Sequence, residues 1–247
     1  MHLLSEIFKV KRESRIARNN SEDALSWNIF RYLEKEDLLD WYLSIIGGTR
    51  VNNSKIMYWS YSQDEKSNYS LLNEASRIFG ERAKRGSEPD LIILSECHLF
   101  FIEAKFTASN RTRPSNLNDS KNYCDGADSW YENVFYSRYE EIAIEKQKYE
   151  LMRFWLLGSW MAKELGFEFH LVNLVLQDQE KEIEKEFLPF IHHNSENRFT
   201  RQCWEDIYRW LKGKSIDNEE KQMMLSYFEN LTITYPNNGI LQKAFNI

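Results

Sequence analysis

Residues 88–106 read EPDLIILSECHLFFIEAKF, in which two apolar runs of strand length flank a short polar gap. This pattern is typical of a β-hairpin. A turn centred between Glu96 and Cys97 would put Asp90 directly opposite Glu103. Directly opposed residues on one face of a sheet have Cβ atoms about 4.5–5.5 Å apart. The sequence therefore predicts two acids side by side at the open end of a hairpin.

Strand alternation puts Glu103 and Lys105 on the same face and turns Ala104 away from it. Two like charges at this separation destabilise a sheet unless a cation lies between them. Both acids also interrupt runs that are otherwise apolar, and acids are almost never fully buried without a partner. The pattern favours a metal or catalytic site over its alternative, a structural ion pair in which Lys105 alone balances the acids.

Pro89-Asp90 and Glu103-Ala104-Lys105 resemble the signature of the PD-(D/E)xK nuclease superfamily, which includes restriction enzymes, resolvases and repair nucleases. The resemblance covers residues 20–177 approximately, a stretch that is also similar to uncharacterised bacterial restriction-endonuclease-like proteins. In the superfamily the two acids hold Mg²⁺, and the lysine positions or activates the attacking water. The resemblance implies an α/β fold, with a mixed β-sheet core flanked by helices on both sides.

An early helix offers a third acid, as in many members of that superfamily. Residues 20–33 read NSEDALSWNIFRYL, a polar cap followed by an amphipathic helix. Helical periodicity aligns Glu22 with Ile29 and Leu33 on the buried stripe and turns Asp23 elsewhere. The alternative is that an acid in a first turn only complements the helix dipole.

The resemblance implies a Mg²⁺-dependent DNA endonuclease that acts in restriction, defence or DNA processing. Asp90, Glu103, the backbone carbonyl of Ala104 and Glu22 would bind the metal. Oxygen ligands of this kind suit Mg²⁺ or Mn²⁺. Lys105 would orient the water nucleophile and offset phosphate charge, so that the expected catalytic set is Glu22, Asp90, Glu103 and Lys105.

Two other functions stay open. The fold could serve as a non-catalytic scaffold that binds DNA or a partner protein, although a scaffold has no need for clustered acids. It could also be a cleavage subunit that is active only within a transposition or defence complex. A homodimer is a further possibility, and the target site, the choice between DNA and RNA and the number of metals are not encoded in any motif.

Composition favours one folded domain over residues 1–247, with a nuclease core over 20–177 and a helical extension over 178–247. The chain is 42% hydrophobic and has only nine glycines and four prolines, which leaves little room for long linkers. Its three cysteines have no CxxC spacing, which indicates a reducing compartment and no zinc site. We expect a cytoplasmic protein, because we find no signal segment and the longest apolar cluster, residues 154–162, is too short to span a bilayer.

Charge is the main objection to a nucleic-acid partner, because the net charge is −6 and phosphate binding depends mostly on Lys and Arg. Basic side chains are nevertheless concentrated near the predicted site. They lie in residues 1–20, at Arg82, Lys84 and Arg85 before the hairpin, and at Arg111 and Arg113 after it. Such stretches suit local contact with DNA and are equally ordinary as solvated surface.

The remaining pattern predicts helices over residues 21–36, 38–46, 70–85, 179–187, 203–211 and 219–230, and one or two helices over 128–165. It predicts strands over 55–61 and 167–176. Residues 107–127 are polar and predict a long loop beside the site. His98 falls in the hairpin turn, and His192 and His193 read as a surface pair.

Overall fold

The chain forms a seven-stranded mixed β-sheet with helices packed on both faces. The computed structural model describes residues 21–81, 86–115, 120–216, 218–234 and 241–247. The order of strands across the sheet is β3-β2-β1-β4-β5-β6-β7. The strands are β1 (Lys55–Tyr58), β2 (Tyr61–Ser62), β3 (Ser67–Asn68), β4 (Leu91–Leu94), β5 (His98–Ala104), β6 (Glu168–Val175) and β7 (Asn197–Cys203).

The neighbours from β3 to β5 are antiparallel, whereas β5, β6 and β7 run parallel to one another. The α-helices are α1 (Glu22–Lys35), α2 (Leu39–Gly47), α3 (Ser70–Ile78), α4 (Ser120–Val134), α5 (Tyr149–Leu165), α6 (Ile183–Phe187), α7 (Trp204–Lys212) and α8 (Glu219–Asn230). A π-helical turn covers Glu140–Glu145. Within the described ranges, no helix combines the length and the apolar character needed to cross a lipid bilayer.

The β4–β5 hairpin has the predicted register. Leu91 pairs with Ile102 and Leu94 pairs with Leu99, which extrapolates to Asp90 opposite Glu103. Every residue of β5 is buried, because β5 lies between β4 and β6 in the middle of the sheet. The predicted mixed sheet with helices on both sides is therefore confirmed at the level of fold class.

Side-chain alternation along the central strands builds two hydrophobic cores. Ile93 and Phe100 face α1, α2, α7 and α8 on one side of the sheet. Ile92 and Phe101 face α3, α4 and α5 on the other side. Every second residue of a strand lies on the same face, so Glu103 and Lys105 share the face of Phe101. The motif side chains therefore point towards the face that α5 covers.

Helix α5 is the apolar helix that the sequence predicts, and it packs closely on β6. A Cβ added at Gly158 would lie 2.1 Å from the ring of Phe169, so only glycine permits this approach. Gly166 ends the helix in the left-handed conformation with φ of 71°. This contact lies near the start of β5, and α5 begins at the other end of that strand, where Glu150 contacts Lys105 of the motif.

Two predicted boundaries next to the hairpin are wrong. The helix that begins at Ser70 ends at Ile78, because Gly80 adopts a φ of 68° and turns the chain; residues 82–85 lie outside the described ranges. The predicted loop over 107–127 contains the start of α4 at Ser120, whereas residues 107–115 form a loop and 116–119 lie outside the described ranges.

The sheet also extends beyond the predicted core boundary at residue 177. Strand β7 pairs with β6 along its length, and a separate antiparallel pair forms from β8 (Thr232–Thr234) and β9 (Leu241–Lys243). The C-terminal part is therefore not purely helical. Strand β7 escapes a sequence pattern because its residues NRFTRQC are mostly polar, as an edge strand tolerates. The predicted helix over 179–187 is shortened to α6.

Candidate functional site

The hairpin brings Asp90, Glu103 and Lys105 together where β4 begins and β5 ends. Asp90 immediately precedes β4, and its Oδ2 accepts the backbone N–H of Ala104 at 2.9 Å. The ammonium group of Lys105 contacts the Glu103 carboxylate in a hydrogen-bonded ion pair. The side chain of Glu103 is 5% exposed, and that of Lys105 is 13% exposed, so this pair is largely withdrawn from water.

The first turn of α1 adds Glu22, as predicted. Ser21 caps the helix by accepting the N–H of Ala24 at 3.1 Å, which fixes where the helix begins. Glu22 Oε2 then accepts the backbone N–H of Phe106 at 2.9 Å, one residue beyond Lys105. The acid on the early helix and the motif at the end of β5 are thus joined directly, although 84 positions separate the two bonded residues in sequence.

Asp23 differs from the prediction that it points elsewhere. It is buried, and its Oδ1 accepts the indole N–H of Trp59 at 3.0 Å. Its charge contributes to the raised pKa values of both Glu22 and Asp90, so it lies within electrostatic reach of the site. Both acids of the first turn face inward because that turn packs against the end of β1 instead of projecting into solvent.

Glu150 is a further acid beside Lys105 that the sequence pattern did not indicate. Its Oε2 lies 3.1 Å from the Lys105 ammonium, and it is the second residue of α5. Its backbone N–H donates to Thr112 Oγ1 at 2.9 Å, which fixes the start of the helix against the loop after β5. An acid in the first turn of a helix is common, so no signal in the sequence distinguishes Glu150.

The pKa values show how strongly these charges interact. Burial raises the pKa of Asp90 to about 7, although Lys105 and the Ala104 N–H act in the opposite direction. Burial, followed by the charge of Asp90, raises the pKa of Glu103 well above its usual range. Burial also raises the pKa of Glu22. The cost of burying these acids is thus incompletely offset by a single lysine.

Lys105 itself is held in its charged form. Burial acts to lower its pKa, but the charges of Glu103 and Glu150 outweigh burial and raise the pKa above its usual value. A lysine in this environment keeps its proton at neutral pH and cannot act as a proton acceptor there. Its available functions are to donate hydrogen bonds and to supply positive charge.

The types of donor, though not their present spacing, suit a hard divalent cation: no three of these acids have carboxylate oxygens within 4.8 Å of one another. The carboxylates of Asp90, Glu103 and Glu22 supply only oxygen donors, and the backbone carbonyl of Ala104 would add another. Mg²⁺ and Mn²⁺ prefer such ligands, usually with several waters retained. A cation among these acids would also lower the energy of their ionised forms, because an opposite charge within a few ångströms favours the charged form.

A buried network supports the segment that carries Asp90. The carboxylate of Glu81 is 1% exposed and accepts Arg153 Nε at 2.8 Å. It also accepts the backbone N–H of Ser87 at 2.5 Å and the hydroxyl of Tyr123 at 3.2 Å. Ser87 lies three residues before Asp90, so this network ties the approach to the site to α5.

A second network supports the loop after β5. Asn173 pairs with Glu103 in the register of β5 and β6, and its Nδ2 donates to Glu180 at 2.8 Å. Asn110 is fully buried and donates to both Asn173 Oδ1 and Glu180. The sequence did not indicate these residues. An asparagine in a polar loop and a glutamate in a charged segment form no distinct pattern.

The predicted basic residues are only partly within the described ranges. Residues 1–20 and 82–85 lie outside them. Arg111 and Arg113 are exposed and flank Thr112, the residue that caps the backbone N–H of Glu150. These two arginines therefore lie on the loop that borders the acids. The predicted surface histidines are half-buried at His192 and exposed at His193.

Comparison with known proteins found no match: no protein-family model, no curated protein and no solved structure matches this chain. The geometry of the site is therefore the basis for a functional assignment.

Proposed function

We propose that the protein is a metal-dependent DNA endonuclease with a restriction-endonuclease-like core. The observation that carries this proposal is an excess of buried acids at the motif: Glu103 and Glu150 contact the Lys105 ammonium. Asp90 and Glu22 accept the backbone N–H groups on either side of Lys105. A structural ion pair needs one acid for one lysine. An excess of acids in a buried position is costly unless a further cation shares them.

The order of elements agrees with this fold. A helix, antiparallel strands, a crossover helix and a parallel strand follow one another as α1, β1, β4–β5, α5 and β6. The early helix supplies Glu22, the hairpin supplies both motif acids, and the crossover helix supplies Glu150. Three of these elements, the early helix, the hairpin and the crossover helix, thus contribute acids to one region.

In the proposed reaction Asp90, Glu103, Glu22 and the Ala104 carbonyl would hold Mg²⁺. The bound ion would supply Lewis-acid polarisation of the scissile phosphate and a nucleophilic water of lowered pKa. Lys105, which stays protonated, would donate a hydrogen bond to the attacking water and offset the negative charge that develops on the phosphate. Glu150 would hold the lysine ammonium in this position, since it contacts Lys105 and not the backbone that carries the motif.

DNA is the substrate class that the surrounding charges best support. The overall charge is negative, so contact with phosphates has to be local. Arg111 and Arg113 provide exposed positive charge on the loop that Thr112 joins to the start of α5. Binding through two arginines would bring a phosphate backbone to the edge of the acidic cluster.

The test is cleavage of plasmid and linear DNA by the purified full chain with Mg²⁺ or Mn²⁺. We expect the wild type to cut DNA and Asp90→Ala to lose both cleavage and most metal affinity. Asp64→Ala is the matched control, because Asp64 is an exposed acid that pairs with Lys55 at the surface. Ca²⁺ should bind without supporting much turnover.

Failure would be informative in two ways. A wild type that binds Mg²⁺ or Mn²⁺ by calorimetry but leaves varied DNA and RNA intact would support a partner-dependent cleavage subunit. A wild type that binds neither metal and cuts nothing would support the scaffold function, and the enzyme assignment would then be withdrawn.

A further inference from the structure

A second cluster of metal-ligand type lies at the opposite end of the same strands. The prediction that His98 lies in the hairpin turn is wrong, because it pairs with Glu168 as the first residue of β5. Glu168 begins β6, so the two residues are direct neighbours in the parallel register. His170 follows two residues later, so all three side chains lie on the same sheet face. The distance along β5 from His98 to the acidic site at Glu103 is about 17 Å at the usual strand rise. The two clusters are therefore separate.

Three ligand atoms converge in this cluster. His98 Nδ1 lies 3.3 Å from His170 Nε2, and Glu168 Oε2 lies 3.7 Å and 3.9 Å from these two nitrogens respectively. Zinc bonds of about 2.0–2.2 Å in a tetrahedral arrangement place ligand atoms about 3.3–3.5 Å apart. The observed triangle is larger by only a few tenths of an ångström along two of its edges.

The cluster is incompletely satisfied by hydrogen bonds within the described part of the chain. Glu168 Oε2 and His170 Nδ1 are buried and have no hydrogen-bond partner there. The nearest cation to the carboxylate is Arg198, whose Nη2 is 3.9 Å from Glu168 Oε2 and whose Nη1 donates to the carbonyl of Gly47 at 2.5 Å. A cation between the two imidazoles and the carboxylate would satisfy the Glu168 oxygen.

Burial and neighbouring contacts fix the orientation of the two histidine rings. The two side chains are 2% and 1% exposed for His98 and His170. His98 Nε2 lies 3.3 Å from Thr49 Oγ1, which suits a tautomer that donates from Nε2 and keeps the lone pair on Nδ1. The ring of His170 stacks on Phe100 with centroids 4.5 Å apart, which fixes its orientation. The end of α2 at Gly47 covers the cluster, and a helix carboxyl end favours a nearby cation.

We propose that His98, Glu168 and His170 bind a zinc ion that clamps the start of β5 to the start of β6. Two imidazoles and one carboxylate suit Zn²⁺ and disfavour Mg²⁺, which prefers oxygen ligands. Three protein ligands leave a fourth position for water. The cysteine spacing gave no indication of this site because none of its ligands is a cysteine. The proposal is independent of the nuclease function.

The experiment is zinc titration by calorimetry of the purified, chelator-stripped chain. Millimolar Mg²⁺ is present throughout, so that the proposed Mg²⁺ site at Asp90 and Glu103 does not compete for zinc. We expect one Zn²⁺ per wild-type chain and a rise in melting temperature on binding. Glu168→Gln and His170→Gln should weaken zinc binding about tenfold or more. His193→Gln is the matched control, since this exposed histidine lies outside the cluster, and it should bind zinc as the wild type does. Substitution with Co²⁺ should give the intense visible absorption of a four-coordinate ion, absent in Glu168→Gln.

The side chain of Glu168 is partly exposed, so the Glu168→Gln variant should fold. The test therefore stays valid even if the variant at the buried His170 fails to fold. Asp90→Ala should retain the zinc stoichiometry. A wild type that binds no zinc, or equal zinc affinity in the wild type and Glu168→Gln, would overturn the proposal and leave the cluster as a neutral hydrogen-bonded pair of histidines.

Discussion

Asp90 Oδ2 accepts the backbone N–H of Ala104 at 2.9 Å, so the first acid of the hairpin is held by the residue between Glu103 and Lys105. Glu22 holds the N–H of Phe106 in the same way. Acids from two distant parts of the sequence thus anchor on one short backbone segment. The side chains of Glu103 and Lys105 project from a segment that is fixed at both ends, which is the preorganisation that a catalytic cluster requires.

Lys105→Ala should abolish DNA cleavage while largely retaining metal binding. The acids and the Ala104 carbonyl would hold the ion, whereas the lysine ammonium serves the water and the phosphate. We expect turnover to fall by about a hundredfold or more, the usual scale for losing a positioned catalytic group. Single-turnover cleavage and calorimetry with Mn²⁺ separate the two effects. Lys163→Ala, an exposed lysine on α5, is the control, and comparable cleavage by Lys105→Ala would contradict the assigned role.

Glu150→Ala should slow cleavage about tenfold, because the Lys105 ammonium would no longer be held in position. Metal affinity should be nearly unchanged. Glu150→Gln should recover most of the activity, because the amide oxygen can still accept a hydrogen bond from the ammonium group. Glu164→Ala provides the comparison, since Glu164 is an exposed acid at the other end of the same helix. A large loss of metal binding in Glu150→Ala would instead make Glu150 a metal ligand.

The parts of the fold that the sequence predicts are those with a strong local pattern. The hairpin register follows from the apolar runs on either side of the turn, and α5 follows from its continuous apolar stretch before Gly166. Glu22 could be placed because helical periodicity aligned it with buried residues. Each of these inferences depends on neighbours within a few turns or one strand pair.

The parts that escaped prediction depend on contacts between distant residues. Strand β7 has a polar sequence and becomes a strand only by pairing with β6. Glu150 becomes part of the site only because α5 crosses back over the end of β5. His98 could not be assigned from the turn alone, since its partner His170 is 72 positions away. The spacing of residues along the sequence does not indicate contacts of this kind.

Removing Arg111 and Arg113 together should weaken DNA binding without changing the rate at saturating DNA. Each exposed arginine that contacts a phosphate contributes to the salt dependence, so the slope of log affinity against log salt should fall by about 1–2. Fluorescence anisotropy in Ca²⁺ measures binding without cleavage. Lys181→Ala and Lys185→Ala, exposed lysines of the acidic region, should leave the slope unchanged. An unchanged slope in the double arginine variant would show that DNA approaches elsewhere.

Arg153→Met should destabilise the protein by about 3–5 kcal/mol, because it leaves the carboxylate of Glu81 buried without its cation. Equilibrium unfolding in urea measures the loss. Arg209→Met is the matched control: Arg209 pairs with Asp206 on the surface, and the cost there should be about 0–1 kcal/mol. Similar losses in both variants would mean that the Glu81 network does not support the site.

The metal-free protein should lose stability with rising pH through its buried acids, and a divalent ion should restore it. The pKa of Asp90 is raised from 3.8 to about 7 in the folded state, so the fold favours the protonated carboxyl. Its contribution to stability is therefore complete below the unfolded pKa and is lost as the pH rises towards 7. The raised pKa of Glu103 acts in the same direction.

Asp90→Asn cannot ionise, so in chelator it should gain stability relative to the wild type between about pH 5 and about pH 8. The gain should be at most about 1.4 kcal/mol per pH unit. Mg²⁺ or Mn²⁺ should stabilise the wild type more at about pH 8 than at about pH 5. Either ion should stabilise Asp90→Asn little at both pH values. Unfolding in urea at both pH values measures these differences, and a difference between variant and wild type that does not change with pH would contradict the buried-acid account.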